Sequence, residues 1–143
     1  MQELIRREFV VDAPIGAAWR HLAKVEQWPS WAKHIRRVEL TPKGELSAET
    51  AGVIYLRNGV TSKFQMAEMN NRQNWLWAGK FLWLDVYYDH RFDAVDDQHT
   101  KLTWIVASDG FAVSIFGRLF AAVYNKNLDR AIPYLMAEMQ QLN

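Results

Sequence analysis

Hydrophobic and polar positions change period along this chain, and the change marks out its elements. From Phe111 to Leu142 the apolar residues recur in steps of three or four. Phe116, Phe120, Val123 and Tyr124, Ala131, Leu135, Met139 and Leu142 gather near one face. That spacing predicts a helix of about 45 Å at 1.5 Å per residue. Pro133 falls inside it and predicts a kink. Upstream the period is mostly two. Leu4 to Val11 reads as a strand with Ile5, Phe9 and Val11 on one face and Arg6 and Glu8 on the other. Asp12-Ala13-Pro14 follows, with Asp12 placed to cap a helix from Pro14 to Lys24 that buries Ile15, Ala18, Trp19 and Leu22. Pro29 interrupts that helix and predicts a second short one over Pro29 to His34.

Strand signals resume at Val38 and Leu40, ahead of a turn at Pro42-Lys43-Gly44 and a polar loop over Glu45 to Thr50. Val53 to Arg57 and Thr61 to Met69 flank Asn58-Gly59, a strong hairpin signal. Asn74 to Ala78, Leu82 to Ala94 and Thr100 to Ser108 complete the run, with turns at Asn70-Asn71, Gly79-Lys80 and Asp96-Asp97. The order is β, α, α, about six strands, then one long α. It predicts an α+β fold: a curved antiparallel sheet of about seven strands around the terminal helix.

Composition narrows the chemistry. The 143 residues suit one domain spanning 1–143. With no cysteine there is no disulfide, thiol nucleophile or thiolate metal site. A net charge of +1 with both signs scattered leaves no footprint for nucleic acid. The first seven residues carry Glu3, Arg6 and Arg7, unlike a signal peptide, so a cytoplasmic location is expected. Seven Trp, five Tyr and seven Phe supply flat side chains that fill a core or line an apolar pocket.

Several of these residues carry a resemblance. Val11-Asp12-Ala13-Pro14 with Trp19, then Trp28-Pro29-Ser30-Trp31, Trp77, His90-Arg91-Phe92, Thr100 to Thr103 and the terminal helix resemble the SRPBCC superfamily. That superfamily includes START-type lipid carriers and the polyketide cyclase/dehydrase group. The resemblance covers nearly the whole chain and implies the helix-grip fold. It also implies one of three roles: a binder of a lipid or aromatic polyketide-like ligand, a cyclase or dehydratase, or a protein- or membrane-interaction module.

Parity picks out residues that face the helix. Leu84, Val86, Tyr88, His90 and Phe92 share one face, opposite Tyr87, Asp89 and Arg91; Leu102, Trp104, Val106 and Ser108 share another, with Lys101 and Thr103 outside. Trp75 and Trp77 share a third. The candidate ligand-binding set is Trp75, Trp77, Tyr88, His90, Trp104, Phe116, Phe120 and Tyr124. His90 offers a general base or ligand anchor, against the structural alternative of a core histidine bonded to a carbonyl or Tyr. Tyr88 and Tyr124 offer hydrogen bonds to a ligand carbonyl. The three tryptophans offer stacking surfaces, although core packing accounts for them too. Trp28 and Trp31 read as packing residues, and Arg57 as solvated or at a cavity mouth. The histidines at 21, 34, 90 and 99 lack metal-ligand spacing, no Gly-rich phosphate loop is present, and no cofactor is expected.

Overall fold

The computed structural model describes residues 2–81, 84–109 and 113–142, and the side chains of all of these except residue 81 and residues 113–116. Strands β1 (Gln2–Val11), β2 (Ile35–Thr41), β3 (Ala51–Leu56), β4 (Thr61–Asn70), β5 (Asn74–Phe81), β6 (Leu84–Ala94) and β7 (Thr100–Asp109) form one antiparallel sheet. Its order is β1-β7-β6-β5-β4-β3-β2. Helix α1 (Ile15–Ala23) and a 3-10 helix (Val25–Ser30) carry the chain from one sheet edge to the other. Helix α2 (Val113–Gln140) closes the fold. This is the helix-grip arrangement expected.

Four local expectations are corrected. Asp12 is not the N-cap residue: Pro14 holds that position in α1, without a side-chain capping bond, and the Asp12 carboxylate lies 3.5 Å from His99. The second short helix is a 3-10 helix ending at Ser30 rather than one over 29–34. In 3-10 geometry residues i and i+3 eclipse, so Val25, Trp28 and Trp31 point the same way, and all three are buried. Gly79-Lys80 is not a turn but part of β5, pairing with Val86 and Asp85. Leu82, the expected start of the following strand, lies outside the described residues, as does Phe111. Val123 on α2 and Leu142, just beyond its end, are 55% and 40% exposed, while Leu128 and Ile132 take the core positions. Val123 lies about 100° round the helix from Tyr124, enough to turn it to solvent. The helix runs without a break through Pro133, whose ring is exposed.

Inward parity holds on the central strands. Leu84, Val86, His90 and Phe92 are buried, as are Leu102, Trp104, Val106 and Ser108. Thr103 faces outward, yet it too is buried, between its cross-strand partners Glu8 and Arg91. Two glycines let the sheet carry a large inner aromatic. Phe64 of β4 sits opposite Gly52 of β3 and Gly79 of β5. A Cβ on Gly52 would stand 2.5 Å from the Phe64 ring, and one on Gly79 would stand 2.5 Å from the Lys63 carbonyl. The strand glycine read from sequence as a turn signal is there for close approach.

Helix α2 is tied down at several points. Arg7, on the inner face of β1, pairs with Asp129 at 2.8 Å and donates to the Asn125 carbonyl and side-chain oxygen. Near its C-terminus, Glu138 accepts from His21 Nε2 at 2.9 Å and from Ser30 Oγ at 2.8 Å. Along this stretch Leu128, Ala131, Ile132, Leu135 and Met139 are buried in the main core.

Gly79→Ala is expected to cost about 1–3 kcal/mol, since the clash is with backbone that cannot rotate away. Urea denaturation checks it: an unchanged midpoint would show that the strand can move aside.

Candidate functional site

The core is not solid throughout. The C-terminal part of α2 is packed, but its N-terminal part presents Phe120, Tyr124 and Asn127 to a cavity of about 100 Å³. The opposite wall comes from the inner faces of five strands: Ile54 and Leu56, Ser62 and Phe64, Trp77, Tyr88 and His90, Trp104 and Val106. The side wall is Trp28, Trp31, Ala32, His34 and Ile35, from the 3-10 helix, the turn after it and the start of β2. Asp89 and Ile105 also border the cavity. Strand alternation turns their side chains outward, where the Asp89 carboxylate accepts from Asn74 and Arg91.

The wall is a continuous set of aromatic contacts. Trp28 lies 5.2 Å from Trp77 and 5.4 Å from Trp31, centroid to centroid. Trp31 stacks on Trp104 at 5.8 Å, and Phe64 on Trp77 at 4.0 Å. On the helix side, Tyr124 lies 5.6 Å from Phe120 and 6.2 Å from Tyr88. The Trp28 indole N–H donates to the Leu22 carbonyl at 2.8 Å, which fixes that ring. The indole N–H groups of Trp75, Trp77 and Trp104 and Nδ1 of His34 are buried and have no hydrogen-bond partner among the described residues. A buried donor left unmatched costs about 1–3 kcal/mol. Three of these four groups, all but Trp75, belong to cavity-lining residues.

His90 stands where packed core meets cavity. Its ring stacks on Trp75 at 5.1 Å and meets Trp77 edge-on at 4.7 Å. Nδ1 lies 3.3 Å from the Trp75 carbonyl. A carbonyl can only accept, so the ring proton belongs on Nδ1 and Nε2 keeps its lone pair. Burial drives the His90 pKa down to about 4, despite opposing contributions from the Trp75 carbonyl, Asp89 and the Tyr88 carbonyl. The imidazole is therefore neutral at pH 7. Burial pushes the Tyr88 hydroxyl up to about 12, against a hydrogen bond with Ser62, and raises that of Tyr124 as well. Burial also lowers His34.

Of the sequence-predicted residues, Trp77, Tyr88, His90, Trp104, Phe120 and Tyr124 meet at the cavity. Trp75 does not border it: fully buried, it packs edge-on against Trp19 and against Phe92 in the solid region. Phe116 is on α2, but its side chain lies outside those described. Arg57 is exposed and its Nε donates to the Lys33 carbonyl at 2.7 Å. Trp28 and Trp31, read as packing residues, are wall residues as well. Ser62 and Phe64 follow from the parity of β4, and Asn127 from its position three after Tyr124. The two rings of Trp28 and Trp31 reach the cavity through the 3-10 register, which has no sequence signature comparable to a helix or strand period.

The profile of the family described as polyketide cyclase/dehydrase and lipid transport matches residues 2–136. No protein of curated function matches the sequence. Among solved structures, a hypothetical protein of Helicobacter pylori is similar with a TM-score of 0.77 and 14% identity, over 94% of this chain and 86% of its own. A START superfamily protein of Mycobacterium smegmatis gives 0.73 and 10%, over 97% and 98%. The ZhuI aromatase/cyclase of Streptomyces sp. R1128 gives 0.72 and 14%, over 96% and 93%. At these identities the likeness is one of fold.

The low His90 pKa has a sign. In the unfolded chain the imidazole takes a proton near pH 6.5, whereas in the folded chain it does so only near pH 4. Stability present above pH 6.5 is therefore lost as pH falls towards 4, by on the order of 3 kcal/mol. Unfolding free energies measured between pH 7 and 4 should fall, and His90→Phe should flatten most of that slope. An equal slope in the variant would assign it elsewhere.

Proposed function

Because the chain belongs to the polyketide cyclase/dehydrase and lipid transport family, we propose that it binds a small hydrophobic ligand between the sheet and the N-terminal part of α2. The observation that carries this reading is the aromatic-walled hollow of about 100 Å³ in a core that is packed elsewhere. Natural cores close to crystal-like density unless something keeps them open. A dry apolar cavity of about 150 Å³ takes up benzene, so this one, as it stands, matches a single small ring. A chain lipid or a multi-ring polyketide requires α2 to move outward.

The site favours binding over catalysis. Proton transfer at neutral pH is served by a base with a pKa near 7. His90 lies well below that, and among the described residues no carboxylate touches its ring. The cyclase or dehydratase alternative would need Tyr88 or Tyr124 as a general acid, and burial makes both poor proton donors.

A fluorescent apolar probe should bind saturably at micromolar protein. Ile54→Trp, which places bulk in the cavity from a half-buried wall position, should weaken it about tenfold. Probe binding unaffected by the substitution would move the site elsewhere.

A second reading, docking on an anionic lipid surface, rests on the outer face of α2. Leu119 and Val123 are 66% and 55% exposed there, beside exposed Arg118, Lys126 and Arg130. Apolar anchors with flanking cations suit such a surface. Co-sedimentation with phosphatidylglycerol vesicles should exceed that with phosphatidylcholine and drop at least fivefold in the double variant Leu119→Glu, Val123→Glu. Equal sedimentation of wild type and variant would remove this reading.

A further inference from the structure

We infer that Arg20 of α1 and Arg72, in the turn between β4 and β5, form a second site that takes a phosphoryl group: inorganic phosphate or the phosphomonoester head of a lipid. Neither residue borders the cavity. The site is independent of what that cavity holds.

The fold brings the two guanidinium groups together from distant parts of the chain. They meet at Gly16, in the first turn of α1, whose missing side chain leaves room for them. A Cβ on Gly16 would stand 3.2 Å from Arg72 Nη2 and 3.4 Å from Arg20 Nη1. The two nitrogens are therefore no further apart than those distances laid end to end. Two charge-assisted bonds of about 2.8 Å each bridge such a gap through one oxyanion. Arg72 reaches this place from an unusual backbone. With φ at 59° it is the one non-glycine residue with positive φ among the described residues. Glycine or asparagine is the usual occupant of that conformation, and an arginine gains nothing from it locally.

Like charges this close repel unless an anion stands between them. The described residues do not supply one. Arg6, Arg7, Arg37 and Arg91 are each paired with a carboxylate, whereas Arg20 and Arg72 have no ion pair among the described residues. The first turn of α1 carries no acidic residue, and the Asp12 carboxylate ahead of it is turned to His99 at 3.5 Å. Both arginines are exposed, so an anion reaches them without opening the core. A phosphomonoester brings about −1.5 to −2 charges at pH 7 and three acceptor oxygens, enough to answer both guanidinium groups. A carboxylate brings a single charge on two oxygens.

The test is a titration of the ¹⁵N-labelled full chain at pH 7 with sodium phosphate, acetate and chloride at one ionic strength, followed through the Gly16 N–H and the arginine Nε–H resonances. Arg72→Gly is the first variant, because glycine suits the left-handed backbone and the turn is kept. Phosphate should shift the Gly16 resonance saturably, with binding about fivefold weaker in Arg72→Gly and in Arg20→Gln. Gly16→Ala should weaken it as well, since the added methyl displaces the flexible end of Arg72. Acetate should bind about threefold more weakly than phosphate, having fewer oxygens and less charge. Co-sedimentation with phosphatidylcholine vesicles, with and without phosphatidic acid, separates the two sources. Sedimentation that needs phosphatidic acid and drops in Arg72→Gly assigns the lipid head; the phosphate shift without it assigns soluble phosphate. Equal phosphate binding by wild type and Arg72→Gly would overturn the inference, as would acetate or chloride matching phosphate. Should a variant not fold, the ranking of the three salts on the wild-type chain decides the matter alone.

Discussion

The hollow depends on how Trp28 is held. Its indole N–H is tied to the Leu22 carbonyl at the end of α1, so the ring stands rigidly against Trp77, Trp31 and the edge of His90. A flexible aliphatic at this place would slump into the space below α2, since interiors tend to collapse around unfilled volume. A pinned indole cannot. The 3-10 helix therefore works as a buttress: the eclipsed trio Val25, Trp28 and Trp31 gives the sheet a side wall, and α2 is left to cover the rest.

That division sets where the fold is tight and where it is not. From Leu128 to Met139, α2 contributes five buried apolar side chains, and it is clasped by Arg7 at one end and by His21 and Ser30 at the other. At roughly 1.5–3 kcal/mol for each large buried side chain, that half is costly to lift. Over the cavity the helix contributes Phe120 and Tyr124, each only partly buried. Any movement that enlarges the hollow is cheaper at this end, with the tied half acting as the fixed arm.

The architecture was legible because it is written in periods. Alternation on β6 and β7 named the inner faces correctly, and Asn58-Gly59 located its hairpin. The three- and four-residue steps located α2. Legibility ended where local signals had two physical meanings. Gly79 is both a turn residue and a residue that lets backbones approach; only the position of the Lys63 carbonyl decides between them. Val123 fits a generous helical stripe, but one step of 100° puts it in solvent. Trp75 and Trp77 share a face and a composition. Whether a ring borders the hollow or the solid core depends on what crosses it, and for Trp75 that is Trp19 of α1. No period carries that information.

His90 shows why a polar residue in such a place is better suited to recognition than to chemistry. Three aromatic rings surround it, and the loss of water there raises the free energy of imidazolium far more than that of imidazole. The same environment strengthens each neutral hydrogen bond made inside it, because water no longer competes. Desolvation thus removes the group's value as a base near pH 7 and increases its value as an acceptor. The unmatched indole donors of Trp77 and Trp104 follow the same rule from the other side. They cannot ionise, so burial costs them only their hydrogen bonds.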